Sequence, residues 1–248
     1  MKENMKTKRL IWRSLAAFVV GSVVLTSCIE DPEPVALDAA PDVFVQKVVQ
    51  DSVEMYGLAF WVVGNKALDS VTVEGPNDTI WTLEKNPSDN RVFSLYPEEE
   101  DYADSLPDAG GYTFRVKSTQ TDEAVLTLKD ELEDDELAAV VIDSTKFKNS
   151  KLEIFWQEVD DTDGYYIRLY DDSDKLIFMS PGLDDNETDY SFGVSDTGWA
   201  DSGNKAQDGE TYRVEVMAIL YESGSTSSNK DYNVQFISIG STEITWGE

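Results

Sequence analysis

The sequence predicts an all-β chain built as two β-sandwiches in tandem behind an N-terminal leader. Three observations predict it. Beyond Pro41 the chain is a series of short alternating runs of Val, Ile, Phe, Tyr and Thr separated by Gly, Asp, Asn and Pro, the pattern of half-buried strands joined by turns. No stretch keeps the 3.6-residue apolar repeat of an amphipathic helix. A turn followed by Tyr and two alternating apolar residues occurs twice, at Asp108-Ala109-Gly110-Gly111-Tyr112 with Phe114 and Val116, and at Asp208-Gly209-Glu210-Thr211-Tyr212 with Val214 and Val216. Such a repeat at one domain's distance indicates two related units.

The leader comes first. Lys2, Lys6, Lys8, Arg9 and Arg13 precede an apolar run over 15–25. That run is shorter than the roughly 20 residues a bilayer-spanning helix needs. It ends in Leu25-Thr26-Ser27-Cys28, which resembles the lipobox of bacterial lipoproteins. The resemblance implies a signal peptide over 1–27 and a lipid anchor on Cys28, the only cysteine. Two acyl chains at roughly 0.8 kcal/mol per buried CH₂ give stable attachment. Loss of 1–27 would remove the five cations and Glu3, so the net charge of −29 would become −33. Acidic lipid head groups repel such a body, which leaves the lipid to hold it.

Residues 28–41 carry Pro32, Pro34 and Pro41 among acidic residues and are expected to form an extended tether. At about 3.1 Å per residue it would reach roughly 40 Å. Acidic residues directly after the cysteine resemble the surface-export signal of Bacteroides-type lipoproteins, which implies an outer-membrane, cell-surface location.

The first sandwich is expected over 42–130, with strands near 43–49, 52–63, 70–74, 79–83, 91–96 and 124–129. The dense charge block Glu131-Leu132-Glu133-Asp134-Asp135-Glu136 marks an acidic linker over 131–139. Trp61 and Trp156 are expected to fill cores, and Trp81 to be half-buried on its strand.

The second sandwich, 140–248, is the clearer one. Leu152, Ile154 and Trp156 alternate on one strand. An Asp-rich turn then leads into the strand 165–170, a hairpin leads into 176–179, and the run 212–218 alternates again. This half resembles a fibronectin type III domain: Trp156 matches that family's B-strand tryptophan, and Tyr212 matches its tyrosine corner, followed by Val214, Val216 and Ala218. The first half is a weaker, immunoglobulin-like copy. The long segment 193–209, holding Trp199, departs from the family's short E–F connection.

Composition limits the chemistry. With 20 Lys+Arg against 49 Asp+Glu the chain is no partner for nucleic acid, whose binding needs clustered cations. The absence of histidine removes Ser-His-Asp and Cys-His nucleophile systems and histidine metal sites. No phosphate loop or nucleophile elbow occurs, and an enzyme is not expected. No cofactor is implied unless it is Ca²⁺: Asp160, Asp161 and Asp163 on one loop and Asp184 and Asp185 on another would meet at one pole of the domain, where they offer oxygen ligands or, alternatively, simply form solvated turns.

Binding residues follow from strand phase. Tyr165, Ile167 and Leu169 face the core, which leaves Tyr166, Arg168 and Tyr170 outside. Tyr212, Val214, Val216 and Ala218 face in, which leaves Met217 and Ile219 outside. Tyr166, Arg168, Tyr170 and Met217 are thus candidates for a partner surface, unless the first sandwich or the C-terminal segment covers them. Trp199, in a polar loop, is a further candidate, with a tucked-in loop anchor as the alternative. Anchor and architecture together resemble accessory surface lipoproteins of Bacteroides-type glycan-uptake systems. That resemblance implies a non-enzymatic module binding a polysaccharide beside an outer-membrane transporter. The alternative is a protein–protein module: a spacer or adhesin subunit of a surface complex.

Overall fold

Two of the hairpin turns show how the chain builds its sheets. Asp51 and Ser52, and again Asn149 and Ser150, all have positive φ. Two such residues in succession make the tight turn whose twist matches a strand pair. They join β1 (Ala39–Gln50) to β2 (Val53–Gly64), and β9 (Ile142–Lys148) to β10 (Lys151–Trp156). The computed structural model describes residues 35–120, 123–225 and 233–247. Within it, Leu37–Glu248 forms one compact unit.

After β2 come β3 (Leu68–Glu74), β4 (Ile80–Thr82), β5 (Glu84–Lys85), β6 (Val92–Leu95), β7 (Gly110–Ser118) and β8 (Leu126–Leu132). After β10 come β11 (Gly164–Tyr170), β12 (Leu176–Met179), β13 (Asp189–Phe192), β14 (Thr211–Tyr221) and β15 (Val234–Thr245). Among the described residues the one helical turn is Glu99–Asp101. The fold is all-β, as expected.

Each half is a sandwich. In the second, β13-β10-β9 packs on β12-β11-β14-β15; in the first, β4-β3-β7-β8 packs on β1-β2-β6-β5. Both arrangements are immunoglobulin/fibronectin-like Greek keys. The repeated tyrosine ties the preceding turn in both, in opposite senses: Tyr112 Oη donates to the Asp108 carbonyl at 2.9 Å, whereas Tyr212 Oη accepts the Gln207 N–H at 2.9 Å. Trp156 is buried, as are Tyr165, Ile167 and Leu169. Trp61 differs from expectation. Phe60 and Val62 take the core positions on β2, so Trp61, one residue out of phase, is half-buried on the opposite face.

The two halves share a layer. β1 pairs in parallel with β15, Val45 opposite Phe236, so that one eight-stranded sheet runs β12-β11-β14-β15-β1-β2-β6-β5 through both sandwiches. β1 starts at Ala39, inside the stretch expected to be tether, because Ala39 and Ala40 already pair with Gly64 and Val63. The acidic linker is tied to the seam, although Glu133, Asp134, Asp135 and Glu136 themselves are exposed. Leu132 and Leu137 are buried. The Gln235 side chain bonds both the Glu133 N–H and its carbonyl, at 3.3 and 2.9 Å. Lys47, 2% exposed, reaches Glu136 at 2.8 Å, the Leu137 carbonyl at 3.0 Å and Glu54 at 3.0 Å. A buried ammonium is tolerable only with such a full set of partners.

Candidate functional site

The longest irregular connection of the first sandwich, from β6 to β7, organises the surface. Pro97 crosses β2 at Gly57, where a Cβ would come within 2.6 Å of the proline ring. The chain then turns through Glu99–Asp101, with Asp101 Oδ2 accepting the Glu98 N–H at 3.0 Å. It returns to β2, where Ala103 and Tyr56 exchange backbone hydrogen bonds at 2.7 and 3.0 Å. Pinned at both places, the loop has a cavity on either side.

On one side a cleft of about 620 Å³ opens between the sheets of the first sandwich, a volume usual for ligand sites. Tyr56, Leu58 and Leu95 line it with Trp81 and Tyr96, and Asp101, Ser105 and Asp108 supply its polar groups. Trp81 is half-buried, as expected. Its ring stands 5.1 Å from Phe60 and 6.1 Å from Tyr112, with Gly75 behind it, where a Cβ would be 2.8 Å from the indole. The indole is thereby fixed in place while part of it stays exposed. Tyr96 is 51% exposed and meets Phe44 edge-on at 6.4 Å.

On the other side Tyr102 leans over the shared sheet and donates to Gln46 Oε1 at 3.2 Å. A cavity of about 570 Å³ lies here, bordered by Gln46, Tyr102, Arg168, Arg213, Glu215 and Thr242 among others. Burial pushes the Tyr102 hydroxyl up to about 12. Three cross-strand pairs of β11 and β14 line up beside it: Tyr166 with Met217, Arg168 with Glu215, and Tyr170 with Arg213. Glu215, only 7% exposed as a side chain, takes Arg168 Nε at 3.1 Å and Nη2 at 2.8 Å, and also pairs with Arg213 Nη1. Arg213 Nη2 reaches Asp174 at 3.0 Å. The Tyr170 ring lies 4.3 Å from the Arg213 guanidinium and 5.5 Å from that of Arg168, within range of cation–π attraction.

The predicted residues fare unequally. Tyr166, Arg168 and Tyr170 are half-buried on the outer face of their sheet. Met217 is not exposed. It is 5% accessible and packs with Phe44, Ala59, Ile219 and Ile237 in a second apolar cluster. The reason is the shared sheet: β1 and β2 extend the face that an isolated second sandwich would leave open. Trp199 is the tucked anchor, its Nε1–H donating to the Gly193 carbonyl at 3.2 Å and its ring edge-on to Phe178 and Trp246 at 5.2 and 5.9 Å.

Among the described residues the five aspartates named for calcium form no converging group. Asp160, Asp161, Asp163, Asp184 and Asp185 are all exposed. Asp163 Oδ2 is engaged by the Tyr221 N–H at 2.8 Å, and the Asp184 carbonyl closes a turn with the Glu187 N–H at 3.2 Å. Among the described residues the carboxylates that do converge are Asp42, Asp130 and Glu222, with oxygens within 4.8 Å of one another. Burial, reinforced by the neighbouring Asp130, pushes the Asp42 carboxyl up to about 9, and burial raises Asp130 and takes Glu222 to about 7. Sequence reasoning missed this trio because its members come from β1, β8 and the residue just past β14. The one local signal was Asp42 standing between Pro41 and the apolar Val43-Phe44-Val45.

No family model matches this chain, and no curated protein matches it. Among solved structures it is similar to a two-domain fibronectin type III segment of chicken tenascin (11% identity, 84% of this chain and 99% of that one, TM-score 0.28). It is also similar to the FN1–FN3 domains of chicken CNTN1 (12%, 84% and 65%, TM-score 0.30) and to a tetra-tandem repeat in the extending region of a large adhesion protein (13%, 84% and 50%, TM-score 0.25). The chain thus spans about two thirds of the CNTN1 structure and half of the adhesion repeat. Likenesses this loose carry no argument about function, and the fold assignment rests on the strand order.

Proposed function

We propose that the chain is a non-enzymatic binding module held at the outer-membrane surface by a lipid on Cys28, and that its ligand is a polysaccharide taken up in the Trp81 cleft. Cys28 lies outside the described residues, and the anchor rests on the leader sequence. The observation that carries the ligand is the cleft itself. A braced indole and an exposed tyrosine face an apolar floor, with Asp101, Ser105 and Asp108 beside them. Sugars present C–H faces that stack on aromatic rings and hydroxyls that donate to carboxylates, so this combination suits them. The net charge of −29 favours a glycan that is neutral over most of its length.

Calorimetric titration against a panel of neutral polysaccharides tests the proposal. Saturable binding is expected, weakened at least tenfold in Trp81→Ala and in Tyr96→Ala. Tyr96 is exposed enough for its removal to leave the fold intact. Absence of binding across the panel, with a membrane protein co-purifying, overturns the glycan reading in favour of a protein partner.

A further inference from the structure

The second cavity, between the loop and the shared sheet, has a surplus of donors. Arg168 commits Nε and Nη2 to Glu215, and among the described residues its Nη1 has no acceptor. Arg213 commits both terminal nitrogens, one to Glu215 and one to Asp174, which leaves its Nε over. Gln46 is 7% exposed; its Oε1 takes the Tyr102 hydroxyl, and among the described residues its Nε2 has no partner while it borders the cavity. Two guanidinium charges border the cavity with one carboxylate, Glu215, while Asp174, the second partner of Arg213, is exposed and outside its lining, so the lining itself carries a surplus positive charge. Both guanidiniums are held against the Tyr170 ring, so little side-chain freedom remains to be lost on binding.

We propose that this cavity binds the carboxylate of a uronic acid residue carried by the glycan, with Arg168 Nη1 and Gln46 Nε2 as the donors. A charged acceptor is the group that best satisfies cationic N–H donors. A single acid is specified, and not a polyuronate, because further acids along the glycan would be repelled wherever they came within the screening distance, about 8 Å in physiological salt, of the body's many carboxylates. One loop presents Tyr96 to the cleft and Tyr102 to the cavity, so a chain of sugars lying over that loop meets both. The sugar part of the proposal therefore rests on the glycan reading, while the carboxylate part rests on the cavity alone.

The test uses methyl β-glucuronide, methyl β-glucoside and acetate as probes, followed through the arginine Nε–H resonances and by calorimetry. The glucuronide is expected to shift the Arg168 signal saturably, the glucoside to leave it unmoved, and acetate to bind at least tenfold more weakly. Arg168→Gln should weaken glucuronide binding tenfold or more. Gln46→Leu, which leaves every charge paired, should weaken it severalfold. Acetate binding as well as the glucuronide, or glucuronide binding undiminished in both variants, overturns the proposal. If a neutral oligosaccharide quenches Trp81 while the glucuronide leaves Arg168 unmoved, the cavity assignment fails and the glycan reading stands. If neither binds, both fail.

Discussion

Val45 of β1 lies beside Phe236 of β15 in parallel register, and both side chains are buried in one core. This pairing makes one sheet of what the chain order presents as two domains. Phe236→Ala should therefore cost about 3–5 kcal/mol, the range for truncating a buried aromatic. It should also destabilise both halves together. Denaturant unfolding followed at Trp81 and at Trp156 should give coincident transitions in the wild type and in the variant. Separate transitions would show that the seam does not couple the sandwiches.

Stability should fall as pH rises from about 4 to about 9. An unfolded aspartate releases its proton near 4, whereas native Asp42 holds its proton up to about 9 and Glu222 up to about 7. Between those values the native state binds more protons, and by linkage it loses stability with each step upward. Asp130, Glu222 and Glu133 are the other charges of this cluster. Asp42→Asn keeps an acceptor for the Val234 N–H and removes the largest titration. Its melting temperature should change less between pH 5 and pH 9 than that of the wild type. An identical slope in both proteins would assign the effect elsewhere.

Tyr112→Phe and Tyr212→Phe should each cost about 1 kcal/mol, the usual net value of one intramolecular hydrogen bond. For a chain of this size that is a drop of about 2–4 °C in Tm. The two losses should add, since the tyrosines sit in different sandwiches without shared partners. Calorimetry on the single and double variants checks this.

Cys28→Ala should leave the leader unprocessed at the lipobox and the protein without acyl chains. Membrane fractionation should then find less of it with the outer membrane, and mass spectrometry should find no acyl mass on the N-terminus. Unchanged processing and fractionation would remove the anchor from the proposed function.

Strand phase was legible in the second half, whereas in the first Trp61 was read one residue out of phase. Tyr165, Ile167 and Leu169, and Tyr212, Val214, Val216 and Ala218, all face inward as alternation requires. The repeated turn-plus-tyrosine was legible because it is local chemistry. The burial of Met217 was not. It depends on β1 and β15 meeting from opposite ends of the described chain, and no local pattern encodes a parallel pairing at such distance. The Trp81 cleft was half legible: the strand position of Trp81 could be read, but the loop that makes it a cleft depends on Gly57 admitting Pro97. The acidic run at 131–136 was legible as a linker, but its attachment was not: Leu132, Leu137 just beyond it and the buried Lys47 tie it to the seam while its acidic side chains stay exposed.

The position of β1 also decides how the molecule bears load. A pull applied through Ala39 acts lengthwise on a strand flanked on both sides, by β2 over its whole length and by β15 in the middle. The ladder bonds are then strained in shear and resist together, instead of peeling one after another as they would from an edge strand. Tension entering at this point spreads across the eight strands into both sandwiches at once, so the body yields as a single mechanical element, not as two beads extending in turn.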